Sequence, residues 1–171
     1  MATEADVYAA FGKALLLAQS METGMFIFYW LDKVLPVTPP GKPPRIDYSA
    51  EPLSEINMNS LGGCLRQFRR EMFEEGTVDV ETRSLMRKLE QAAADRNELV
   101  HSYGWKRAHL FATQQGREEM LAELDTLIAS FRFGNKIVRQ LVLLCLESNG
   151  LAPQHMTASE FQNYLEMSSR E

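Results

Sequence analysis

Six of the seven prolines fall between Pro36 and Pro52, and this clustering limits the fold more than any other feature. Proline lacks a backbone N–H and fixes φ, so the stretch is barred from helix and from central strand. It reads as a surface crossover loop, about 36–52, which is long for a connection inside a bundle. The remaining proline is Pro153. Elsewhere the chain is free to form long helices.

The apolar residues use that freedom. From about Asp6 to Leu35, Val7, Phe11, Ala14, Ala18, Met21, Met25, Phe28 and Leu31 recur at steps of three and four. Leu16, Leu17, Phe26, Ile27, Tyr29 and Trp30 widen this face, so the helix is central in a bundle or shared with a second subunit. A second helix opens near Asn59-Ser60, both good N-caps, and Gly76 is placed to end it. A third starts at Thr77 or Asp79, packs Leu85, Leu89, Ala92 and Ala93, and runs through Arg96 until Tyr103-Gly104-Trp105-Lys106 ends or kinks it. Gly116 falls in the next break. A fourth runs from about Arg117 to Glu147 and stops at Asn149-Gly150. A short C-terminal helix follows Thr157, within a tail of about 151–171.

No strand-like alternation or internal repeat interrupts this pattern. The expected fold is all-α: an antiparallel helical bundle of four main helices, with the Pro-rich crossover loop and a short C-terminal helix. One domain accounts for all 171 residues. No apolar run approaches the roughly 20 residues of a membrane span, and the N-terminus is acidic where a secretory leader is basic. A cytoplasmic chain without a membrane segment is expected. Cys64 and Cys145 stand apart in apolar stretches and read as reduced core thiols. The net charge of -5 argues against coating nucleic acid non-specifically, though it leaves room for a small positive site.

A Gly-rich phosphate loop and the common hydrolase motifs are missing, and His101, His109 and His155 are scattered, so neither metal nor cofactor is expected. The unusual segment is Asp95 to Trp105. On a helix Asn97 and His101 lie side by side, four apart. Arg96 interrupts an inward stripe with a charge. An unpaired buried guanidinium is costly, so Arg96 needs a partner, with Asp95 and Glu22 in reach of the argument, or a cleft in which to bind an anion.

Arg96-Asn97-Glu98-Leu99-Val100-His101 resembles the signature of the HEPN superfamily, an arginine and a histidine separated by four to six residues. With Tyr103 it is similar to the longer form of HEPN toxins paired with minimal nucleotidyltransferase antitoxins. Its position late in a long helix, and Asn59-Ser60-Leu61-Gly62 opening the preceding one, are similar to family members too.

The resemblance implies a metal-independent endoribonuclease whose motif is doubled across a homodimer. It makes His101 a general acid or base at the ribose 2′-hydroxyl or the leaving 5′-oxygen, a task suited to an imidazole. It makes Arg96 the holder of the scissile phosphate. Asn97 would orient the imidazole or bind phosphate, and Tyr103 would be the residue that a nucleotidyltransferase-like antitoxin modifies. Lys106 and Arg107, with Arg66, Arg69 and Arg70, would give RNA a basic rim. On the residues alone, Tyr103 reads equally well as a core tyrosine, and Trp105 as a packing residue at the helix end. The alternative function is a non-catalytic helical module for protein–protein or RNA binding, with Arg96 and His101 saturated by protein partners.

Overall fold

The computed structural model describes residues 1–35, 61–74, 79–149 and 151. The Pro-rich segment, the Asn59-Ser60 cap, Gly76, His155 and the C-terminal helix expected after Thr157 lie outside the described residues. Within them the chain is all helical, in the order α1 Glu4–Val34, α2 Leu61–Glu74, α3 Val80–His101, α4 Tyr103–Phe111 and α5 Gln114–Ser148.

Each start has a local cause. Thr3 caps α1 with a reciprocal box: Asp6 N–H donates to Thr3 Oγ1 at 3.2 Å and Thr3 N–H to Asp6 Oδ2 at 2.8 Å. The Thr3 hydroxyl and amide hold the Asp6 carboxyl below its usual range. Asp79 caps α3 by accepting from Thr82 N–H at 2.8 Å, so of the two starts open in the sequence Asp79 is the one used.

α1 and α5 form the spine and run parallel. Arg117, early in α5, donates from Nε to the Ala2 carbonyl at 3.0 Å, and Leu31 and Leu35 meet Val142 at the far ends. Met21 seats against Gly134, where any larger residue would overlap its sulfur, and Ala14 and Ala18 are fully buried. α3 runs antiparallel to α1 and α5, as the pairs Phe11 with Tyr103, Glu22 with Arg96 and Asp95 with Ser130 require. α2 leans on α1 through a hydrogen bond from the buried Tyr29 hydroxyl to the Cys64 carbonyl at 2.5 Å, and through the edge-on contact of Phe28 with Phe68. Cys64 is buried and free, and burial pushes its thiol above the usual range.

Three expectations need correcting. The third sequence-read helix is two, because the chain steps out of helical geometry at Ser102, with φ -139° and ψ -17°. The Ser102 hydroxyl donates back to the Glu98 carbonyl at 3.2 Å, a bond that bends helices. Gly116 is not in a break. It is buried in the first turn of α5, capped by Thr113, and stands so close to the Leu110 carbonyl that no Cβ fits. A glycine chosen for close approach looks in sequence like a breaker. Last, Glu4–Leu31 is long and apolar enough to cross a membrane by length and composition, with a mean hydropathy of 1.2. Its apolar side chains supply much of the core, including Ala14, Met21, Met25 and Tyr29.

Candidate functional site

The site is built where the end of α3 faces the middle of α1. Leu89, Ala92 and Leu99 bury one side of α3, and this fixes its rotation. Arg96 then lies towards α1. Its Nη2 donates to Glu22 Oε2 at 2.6 Å, with each side chain 19% exposed. Glu22 Oε1 accepts from the Leu61 N–H at 3.3 Å, so one carboxylate joins three helices. It also takes the position that favours an anion, at the N-terminus of α2. Arg96 Nη1 donates to Asn97 Oδ1 at 3.2 Å. Arg96 Nε is buried and has no hydrogen-bond partner among the described residues.

Of the two partners weighed for Arg96, Glu22 is the one it finds. Asp95 is taken up elsewhere, accepting from Gln91 Nε2 at 2.8 Å and from Ser130 Oγ at 3.0 Å. Asn97 and His101 are both exposed, a turn apart on α3. Arg96, Asn97 and His101 thus share one stretch of α3, with Arg96 anchored inward and the imidazole facing out.

Tyr103 lies below this surface, 2% exposed. Its hydroxyl donates to the Met120 carbonyl at 3.1 Å, and its ring meets Phe11 on one side and the Arg107 guanidinium 5.6 Å away on another. It is a core tyrosine with a buried hydroxyl, so a modifying partner would have to open the α4–α5 contact to reach it. Burial, then the nearby Glu123 carboxylate, raise its pKa well above the usual tyrosine value.

Comparison with protein-family models, with curated proteins and with solved structures finds no match.

The expected basic rim is occupied by acids. Lys106 Nζ lies 3.4 Å from Glu98 Oε1, and Arg107 Nε donates to Glu123 Oε2 at 2.7 Å. That bond to Glu123 raises the Arg107 pKa. Arg69 on α2 pairs with Glu90 at 3.1 Å. Trp105 is not the packing residue expected: it is 71% exposed on α4. Sequence gave a signal for this, since Trp105 stands four residues past His101 and eight past Asn97. Glu123 had no such signal, because it meets Arg107 only through the fold. Among the described residues no three His, Cys, Asp or Glu side chains converge as a metal site.

Tyr103 yields a stability prediction with a pH sign. Tyr103→Phe should lose about 1 kcal/mol near neutral pH, the worth of one buried hydrogen bond. The native state keeps the phenol proton at a pH where the unfolded chain has lost it. The contribution is therefore complete below about pH 10 and falls as pH rises above it. Urea unfolding from pH 8 to 11 should show wild type losing more stability than Tyr103→Phe. Parallel curves would refute the assignment.

Proposed function

We propose that this chain is a HEPN-type, metal-independent endoribonuclease, the toxin of a toxin–antitoxin or phage-defence module in the cytoplasm. The observation that carries this reading is the pairing of an inward, anchored Arg96 with an exposed His101 five residues on along α3. Anchoring by Glu22 and Asn97 pre-organises the guanidinium, which is what electrostatic stabilisation of a reacting phosphate asks of it. His101 is free to exchange a proton with the ribose 2′-hydroxyl or the leaving 5′-oxygen. Attack of the 2′-oxygen on phosphorus breaks the bond to the 5′-oxygen, leaving a 2′,3′-cyclic phosphate and a 5′-hydroxyl.

The test is cleavage of total cellular RNA in EDTA by wild type, Arg96→Ala and His101→Ala. Cleavage by wild type alone, with cyclic-phosphate ends, supports the reading. Identical behaviour of all three proteins overturns it. Induction should also arrest growth, and His101→Ala should relieve the arrest.

A homodimer is part of the proposal. The outward side of α1 leaves Tyr8 65% and Leu16 70% exposed, and a second copy would cover them. Light scattering at micromolar concentration should give about twice the 19.5 kDa of one chain, and Leu16→Asp should return the single-chain mass. A single-chain mass for wild type would count against it. The nucleotidyltransferase-like antitoxin remains part of the proposal as a partner for the complex.

One observation favours the second reading, a non-catalytic helical binding module. Arg96, Lys106 and Arg107 each already face a carboxylate: Glu22, Glu98 and Glu123. On that reading Arg96 serves the packing of three helices, and RNA stays intact in the same assay.

A further inference from the structure

We infer that Trp105 is a stacking platform for one unpaired base of a single-stranded RNA, next to the phosphate held at Arg96 and His101. The inference rests on the ribonuclease reading and supplies its substrate class.

The geometry comes from the join between α3 and α4. Ser102 departs from helical angles, yet the ladder continues across it. Ser102 N–H donates to the Glu98 carbonyl at 2.9 Å, and Lys106 N–H to the Ser102 carbonyl at 3.0 Å. The helical screw is therefore kept, and residues four apart stay on one side. Asn97, His101 and Trp105 follow one another along a single exposed stripe. Gly104 lies beside the indole with open space where a Cβ would stand, so nothing walls off the ring on that side.

An indole in water forgoes the burial that makes tryptophan a core residue. A second copy of this chain is a poor cover for it. Val100, 42% exposed, is the one other sizeable apolar residue on the stripe. A stable interface needs roughly 800 Å² per partner, mostly from several such anchors. A base needs much less. It offers a π-face of about the indole's size, and stacking requires neither a groove nor a strong positive field. Lys106 and Arg107, both engaged by acids, fit this too, because affinity then comes from stacking rather than from a basic rim. The base must be unpaired, since a base inside a duplex already has both faces covered.

The experiment uses the whole chain and a 2′-O-methyl oligoribonucleotide, which has no 2′-hydroxyl to react. Tryptophan fluorescence and binding are followed for wild type, Trp105→Ala and Trp105→Phe, with Trp30 as the reference emitter. Quenching should occur in wild type and vanish in Trp105→Ala. Affinity should fall about tenfold to a hundredfold in Trp105→Ala and mostly survive in Trp105→Phe. With cleavable RNA, the loss should show in KM rather than kcat. Unchanged affinity and no quenching overturn the platform while leaving cleavage by Arg96 and His101 standing. Quenching and weakened binding without any cleavage keep the platform and sink the nuclease. If Trp105→Ala halves the mass in light scattering and binding falls with it, Trp105 is a subunit contact and the inference is overturned.

Discussion

His101→Ala should lower metal-independent RNA cleavage by about 10²–10⁴-fold, the usual worth of a positioned general acid or base. The size of the effect is informative because of where His101 sits. Its side chain is exposed at the last turn of α3 and takes part in none of the core contacts. Truncation should leave the unfolding midpoint within the scatter of surface substitutions, about 0.5 kcal/mol. A large kinetic loss without a stability loss then points to chemistry. Arg96→Ala behaves differently. It should also abolish cleavage, but it leaves Glu22 without its cation and weakens the fold. The two variants together separate a catalytic group from a structural one. Cleavage by His101→Ala at the wild-type rate, with EDTA present in both, would sink the assignment whatever Arg96→Ala does.

How far the site was legible in the sequence depends on the kind of contact. Periodicity placed the helices, because a buried stripe at steps of three and four leaves few other folds. It placed Arg96 inward and Asn97 beside His101, since both follow from helical spacing alone. It also narrowed the partner of Arg96 to two acids. It could not choose between them, because Glu22 reaches Arg96 only through the packing of α1 on α3. Gly116 was misread for a similar reason. Its lack of a side chain answers the Leu110 backbone, a contact between two elements that no local pattern records. The pairing of Lys106 and Arg107 with Glu98 and Glu123 has the same origin, and it turns an expected basic rim into a nearly neutral surface. Leu85 is 37% exposed although its spacing put it on the packed face, because the bundle does not cover that end of α3.

The second large effect is expected at Glu22. Its carboxylate receives Arg96 Nη2 at 2.6 Å and the Leu61 N–H at 3.3 Å, so Glu22→Ala strands two donors at once. Breaking a fully buried pair costs roughly 3–5 kcal/mol, and with each side chain 19% exposed a loss of about 2–3 kcal/mol is expected. Arg96→Ala should cost a similar amount. The double variant should cost clearly less than the sum, because neither charge is then left alone, and the coupling should be about 1–2 kcal/mol. Moderate salt should change it little, since screening acts weakly on a pair mostly out of water. Additive losses in denaturant unfolding would mean that the pair stabilises nothing. Glu22→Gln then divides the two functional readings. It keeps an oxygen for the Leu61 amide but removes the charge opposite Arg96. If Arg96 works on a phosphate, this variant should retain most of the stability and shift cleavage, because the guanidinium is held less firmly and its charge is no longer offset. If Arg96 only packs helices together, the variant should change stability alone, and RNA should remain uncut in every sample.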